Sequence, residues 1–218
     1  MQRGNRKKKN VTLPTFKYEK EYFRVGIVVA GIDEAGRGAV AGPVVAAAVI
    51  LNPDFVNDVG INDSKQLSAK KREDFVSIIQ GNAISVGIGI IDNEIIDRIN
   101  ILQATQEAMH LAIGELEPQP AQLLIDGNYF RDNGISYKTI VRGDAKSLSI
   151  AAASIIAKVT RDRWMVENAD KQFPEYGMAK HKGYGTKAHM EAIKEYGLCP
   201  LHRKTFLKKY LDKEMGLF

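Results

Sequence analysis

Eight consecutive residues, Val44–Leu51, carry no polar side chain. A run of that length is far too short to span a bilayer, which takes about 20 residues. It reads as a buried strand, and a buried strand requires partners in a layered sheet. Residues 25–33, rich in Val and Ile, read as a strand ahead of it. The two are separated by a turn punctuated by Gly36, Gly38 and Gly42. Ser68 starts a short helix carrying Phe75, Val76 and Ile79, and residues 84–91 read as a third strand. Three strands with short connections predict an antiparallel meander.

The rhythm then changes. Residues 100–116 place Leu102, Met109, Ile113 and Leu116 on one helical stripe. Gln122–Asp126 and residues 137–141 read as strands. Residues 147–168 read as a long helix whose Ala151, Ala152 and Ala153 permit close packing. Thr186 opens a further helix that Gly197 ends, and a basic helix follows over residues 203–213. A meander followed by strand–helix alternation implies an α/β fold: a mixed sheet with helices on both faces.

The chain has 218 residues, a length that suits one domain. Its parts are expected as a basic flexible arm over 1–20, a catalytic domain over 21–200, and a basic C-terminal helix and tail over 201–218. Residues 1–10 carry the entire formal net charge of +5. The body is polarised, with −7 over residues 54–126 and +8 over residues 138–213. A basic arm and a basic C-terminal half suit a polyanionic partner, or an ordinary solvated surface. The single cysteine, Cys199, excludes an internal disulfide or a multi-Cys zinc site. It fits a reducing compartment, so a cytoplasmic location is expected. No apolar segment follows the basic start, so neither a secretory signal nor membrane attachment is expected.

Four carboxylates stand at strand ends. Asp33 and Glu34 close the first strand, Asp126 closes a later one, and Asp144 lies just past the next. In an α/β sheet such ends line the crevice where ligands bind. Carboxylates meeting there repel one another unless a cation neutralises them, and oxygen-only ligation selects Mg²⁺ or Mn²⁺ rather than zinc. Two such ions about 3.5–4 Å apart clamp a phosphodiester for in-line attack. The other reading is a set of turn-forming aspartates, for which Asp126-Gly127-Asn128 is well suited.

The stretch Gly36-Arg37-Gly38-Ala39-Val40-Ala41 also fits a loose dinucleotide-binding pattern. It runs into a β-branched strand rather than a helix, and Asp33 and Glu34 would repel a pyrophosphate, so that reading is rejected. Lys180-His181-Lys182-Gly183-Tyr184-Gly185 sets a Tyr between glycines in a basic loop, which suits stacking on a sugar or base. His181, His189 and His202 lack metal-ligand spacing.

These residues resemble a known family. Gly31-Ile32-Asp33-Glu34-Ala35-Gly36-Arg37-Gly38, Asn62-Asp63-Ser64-Lys65-Gln66-Leu67-Ser68 and Ile125-Asp126-Gly127-Asn128 are similar to motifs of bacterial ribonuclease HII. So are Gly143-Asp144 with Lys146-Ser147, Ala151 to Asp162, His181 to Thr186, and His202-Arg203-Lys204-Thr205-Phe206. The resemblance implies a ribonuclease H-like fold, a five-stranded mixed sheet flanked by helices, here with a small C-terminal helical extension. It implies a monomeric endonuclease that acts on RNA–DNA hybrids and on ribonucleotide-containing duplex DNA. It would use two Mg²⁺ or Mn²⁺ ions, cutting 5′ of a ribonucleotide to leave 3′-hydroxyl and 5′-phosphate ends. By motif, Asp33, Glu34, Asp126 and Asp144 are the acidic tetrad. Gly36, Arg37 and Gly38 sense the ribose 2′-hydroxyl, Tyr184 packs on the sugar, and Lys65, Lys146 and Ser147 touch phosphates. The related type HIII enzymes have Ser and Lys where this chain has Ala35 and Arg37. The last residues, 214–218, loosely resemble peptides that dock in the bacterial sliding clamp.

Overall fold

The computed structural model describes residues 13–214; the basic cluster of residues 1–10 and the tail 215–218 lie outside them. In chain order the elements are α1 (Lys20–Phe23), β1 (Val29–Ala35), β2 (Val44–Leu51), α2 (Ala69–Asn82), β3 (Ala83–Ile91), α3 (Asn93–Ile99) and α4 (Ile101–Gly114). There follow β4 (Gln122–Asp126), β5 (Ser136–Ile140), α5 (Leu148–Trp164), α6 (Asp170–Gln172), α7 (Met178–His181), α8 (Lys187–Tyr196) and α9 (Lys204–Glu214). One five-stranded sheet has the order β3-β2-β1-β4-β5. β1, β2 and β3 pair antiparallel as the meander predicts, while β1–β4 and β4–β5 are parallel, so the sheet is mixed.

Every residue of β2 is buried, because helices cover both faces of the strand. Strand alternation sends Ala47, Val49 and Leu51 toward α5 and α2, where they meet Ala151, Ile155, Phe75 and Ile79. The intervening Ala46, Ala48 and Ile50 face α4, against Ala104, Ala108 and Ala112. The missing side chain of Gly31 lets α5 lie very close to β1. A Cβ built on Gly31 would fall 2.2 Å from the main-chain carbon of Ser149. Backbone cannot rotate away as a side chain can. Gly31→Ala is therefore expected to lower stability by about 1–3 kcal/mol through displacement of α5. Urea unfolding measures this, and an unchanged midpoint would contradict the close packing.

Three boundaries differ from expectation. The arm expected over 1–20 does not extend that far, because residues 13–20 are part of the fold. Thr15 pairs with Ser147, and Glu19 is fully buried. The Glu19 carboxylate accepts from Ser147 Oγ at 2.6 Å and from the Ser149 N–H at 3.1 Å, and burial pushes its pKa up. The first strand starts at Val29 rather than at residue 25, after a turn through Gly26. A helix not expected, α3, is capped by Asp92, whose side chain accepts from the Ile95 N–H. It is parted from α4 by Asn100 at φ 67°. The long helix is extended by a π-helical turn, Met165–Ala169, into α6.

Candidate active site

Strand register brings the acids together. The parallel pairing sets Ile32 of β1 beside Ile125 of β4, so the next residues, Asp33 and Asp126, leave the sheet at the same level. β5 pairs alongside, and the turn after it returns Asp144 to that level. There the Gly143 N–H donates to Asp126 Oδ1 at 2.6 Å. Carboxylate oxygens of Asp33, Asp126 and Asp144 lie within 4.8 Å of one another, close enough to hold a metal ion. Glu34 lies outside this three-residue group but near it, close enough for its charge to act on Asp33. Its Oε1 accepts from Arg37 Nη1 at 3.3 Å.

Asp33 is 3% exposed and Asp144 is 5% exposed. Burial, then the charges of Glu34 and Asp126, push the Asp33 carboxyl well above its usual range. The Ser154 hydroxyl and the Glu34 N–H bond to it and oppose that shift only in part. Burial, then Asp126 and Asp63, raises Asp144. Glu34 is raised chiefly by burial, against the pull of Arg37. Lys65 Nζ lies 3.5 Å from Asp144 Oδ2. Burial disfavours the Lys65 charge, but Asp144, Asp33, Asp63 and Asp126 outweigh it and raise its pKa. A lysine 76% exposed is a weak counter-charge for three converging carboxylates. A hard divalent cation fits this oxygen-only donor set and would reverse the unfavourable burial.

Beside the acids lies a cleft of about 420 Å³ lined by Glu34, Gly36, Arg37, Gly38, Lys65 and Tyr184, together with Ser154 and Lys158. Gly36 has φ +93°, and a Cβ there would meet Arg161 Nε at 2.0 Å, so only glycine fits. A Cβ on Gly38 would meet nothing, which leaves its main chain open to a ligand. The Tyr184 ring is flanked by Lys158 Nζ at 5.5 Å and Arg161 Cζ at 5.4 Å from its centroid.

One expected phosphate contact, Ser147, is placed elsewhere. Ser147 is fully buried: it caps α5 through the Ile150 N–H and donates to Glu19, so it is a structural cap rather than a surface ligand. Lys146 is exposed past Asp144, and its Nζ donates to the Val141 carbonyl at 2.7 Å.

Two arginines not singled out from sequence organise the cleft. Arg203 is fully buried and donates to the carbonyls of Gly36, Arg37, Ala39 and Gly42 at 2.8–3.1 Å. Arg161, also fully buried, donates to Pro43, Lys182 and Ala41. Together they fix the Gly-Arg-Gly loop to the segment before Tyr184. Arg161 continues the stripe of Ile150, Ser154 and Ala157 on α5, and a cation on so apolar a stripe is the signal that could have found it. Ser64 and Ser154, with Oγ atoms 2.8 Å apart, extend support behind Asp33.

Comparison with known proteins agrees with this geometry. The family model described as ribonuclease HII matches residues 30–210. The ribonuclease HII of Acetivibrio thermocellus is 57% identical over 195 residues, covering 89% of this chain and 75% of that protein. That of Geobacter metallireducens is 58% identical over 178 residues, covering 82% and 83%. Among solved structures, ribonuclease H2 from Pyrococcus horikoshii superposes with a TM-score of 0.68 at 28% identity, covering 85% of this chain and 97% of that one. The ribonuclease HII of Archaeoglobus fulgidus, solved in complex with PCNA, gives 0.70 at 28% identity, covering 81% and 94%. A family match over most of the chain, on a fold whose strand ends gather three aspartates, means that the chain belongs to the ribonuclease HII family and is a ribonuclease H hydrolase.

Proposed function

We propose that this chain cuts the RNA strand of RNA–DNA hybrids and also cuts 5′ of single ribonucleotides embedded in duplex DNA. The products would carry 3′-hydroxyl and 5′-phosphate ends. The observation that carries this reading is the group Asp33, Asp126 and Asp144 opening beside the cleft of Gly36, Arg37, Gly38 and Tyr184. Asp33, Glu34, Asp126 and Asp144 would hold two Mg²⁺ or Mn²⁺ ions, which supply an activated water and charge stabilisation at the leaving 3′-oxygen. Lys65, exposed beside Asp144, would meet a phosphate of the substrate. Gly38 offers main-chain groups to the 2′-hydroxyl, which is both donor and acceptor and is the local mark of a ribonucleotide. Tyr184 closes the far side of the same cleft. A cytoplasmic monomer fits this reading. So does docking of residues 214–218 on a sliding clamp, which the PCNA complex of the archaeal relative supports.

The test is end mapping on a duplex carrying one ribonucleotide, with and without divalent metal. One metal-dependent cut on the 5′ side, leaving an extendable 3′ end, is expected. Cleavage of an all-DNA duplex, or none at the single ribonucleotide, would overturn the reading. Tyr184→Ala is expected to lower kcat/KM on that substrate by about ten- to a hundredfold, from a lost hydrogen bond and lost sugar packing. A long hybrid offers many registers, so its loss should be smaller. Equal losses on both would leave Tyr184 a general binding residue.

A further inference from the structure

We propose that His202 and His189 form a neutral imidazole relay that positions Tyr184, making both of them positioning residues for the reaction. The inference rests on the reading that Tyr184 meets substrate. Both rings are buried, at 1% and 0% exposure. The Cys199 N–H donates to His202 Nδ1 at 2.9 Å, so that nitrogen carries the lone pair. The Cys199 carbonyl lies farther from it, at 3.3 Å. The His202 proton is then on Nε2, which faces His189 Nε2 at 3.1 Å. His189 Nε2 must accept, which leaves its proton on Nδ1, 3.0 Å from the Tyr184 carbonyl. One tautomer of each ring satisfies the three shorter contacts, those of 2.9, 3.0 and 3.1 Å. A charge on His189 would set two hydrogens against each other between the Nε2 atoms, and a charge on His202 would set one against the Cys199 N–H. Burial, which pushes His189 down to about 4 and His202 down as well, keeps both neutral.

The local sequence explains the reach. Thr186 caps α8, and its Oγ1 accepts from the His189 N–H, so His189 is the third residue of that helix. Helical side chains lean toward the N-terminus, which carries this ring back over the residue two before the cap. That residue is Tyr184, between Gly183 and Gly185, where the main chain has little stiffness of its own. The ring is held in turn. His181 stacks on it with centroids 4.2 Å apart, its own Nε2 bonded to the Tyr176 carbonyl at 2.9 Å. The Tyr176 ring stands edge-on to His202 at 5.0 Å. Arg203, next in sequence to His202, holds the Gly-Arg-Gly loop. Both walls of the cleft thus rest on one short segment, residues 199–203.

Two measurements on the full chain test the relay. Long-range ¹H–¹⁵N correlation at pH 7 should show His189 protonated on Nδ1 only and His202 on Nε2 only. In steady-state cleavage of a hybrid, His189→Leu should lower kcat/KM by about tenfold, the worth of one positioned hydrogen bond. His189→Asn keeps an N–H at the Nδ1 position and should restore most of the rate; His189→Gln sets its amide at the Nε2 position and should not. In a Tyr184→Ala background the further loss from His189→Leu should shrink to less than about twofold. A purely structural histidine would give equal losses in both backgrounds and no difference between Asn and Gln. An Nε2–H tautomer at His189, charged rings, equal Asn and Gln rates, or additive losses would each overturn the proposal. If His189→Leu does not fold, the tautomers and the Asn–Gln contrast decide it. A Tyr184→Ala variant with unchanged kcat/KM removes the purpose of the relay along with the substrate role. The tautomers then report whether the hydrogen-bond chain itself exists.

Discussion

Asp33→Asn is expected to lower hybrid cleavage by about 10³-fold or more while the metal-free protein becomes more stable at neutral pH. The first effect follows from removing one charged donor from a three-aspartate group whose metal, when bound, would supply several kcal/mol to the transition state. The second follows from the direction of the Asp33 shift. Its folded pKa lies well above the unfolded value of 3.8, because burial and the charges of Glu34 and Asp126 disfavour ionisation. Between those two values the folded state binds more protons than the unfolded state, so stability falls as pH rises through the window. Below the ordinary carboxylate range the group is neutral in both states, and the two proteins should melt together. Above it the wild type carries the penalty and the variant does not. The Asn amide oxygen can still accept from the Glu34 N–H, a 2.7 Å bond in the wild type, so the fold keeps its local support. Melting curves against pH in a chelator measure the crossover, and added Mg²⁺ should raise the wild type more than the variant. Turnover above about a hundredth of wild type at saturating metal, a loss of less than about 3 kcal/mol, would sink the metal-ligand assignment.

What the sequence revealed and what it hid divide along one physical line. Val44–Leu51 needed only its own composition to declare a strand buried on both faces, and the carboxylates closing apolar runs marked the site. Their meeting depends on the parallel register of Ile32 with Ile125, a contact between residues far apart in the chain that no local pattern encodes. Ser147 shows the opposite error. A serine beside an acidic motif suits both a phosphate contact and a helix cap, and Glu19 settles it by covering the hydroxyl from a segment read as a free arm. That segment is polar, with a carboxylate that finds its partners 128 and 130 residues away. α3 was missed because it is short, although Asp92 three residues before Ile95 is an ordinary cap signal. The buried arginines lie inside the motifs that carry the family resemblance, yet their acceptors are main-chain carbonyls, which leave no trace in side-chain identity.

Arg203→Met should be the most destabilising single change in the cleft, by about 3–5 kcal/mol. The guanidinium makes five bonds to four carbonyls, those of Gly36, Arg37, Ala39 and Gly42. Each buried carbonyl left unpartnered costs about 1–3 kcal/mol, and the exposed edge at Arg37 and Gly38 lets water recover part of that sum. Burial pushes the Arg203 pKa down to about 9, so the group is still a cation at neutral pH. Its charge is met by carbonyl dipoles instead of a carboxylate, and that arrangement requires the planar fork. Arg203→Lys keeps the charge but offers one compact ammonium, which cannot span from Gly42 to Gly36, so its loss should approach that of Met. The loop carried by these bonds follows Asp33 and Glu34 directly, and its release should therefore disturb cleavage as well as stability. Urea unfolding of both variants measures the first effect, and hybrid cleavage by the fraction that remains folded measures the second. An Arg203→Lys protein within about 1 kcal/mol of wild type would show that charge, not fork geometry, holds the Gly-Arg-Gly loop.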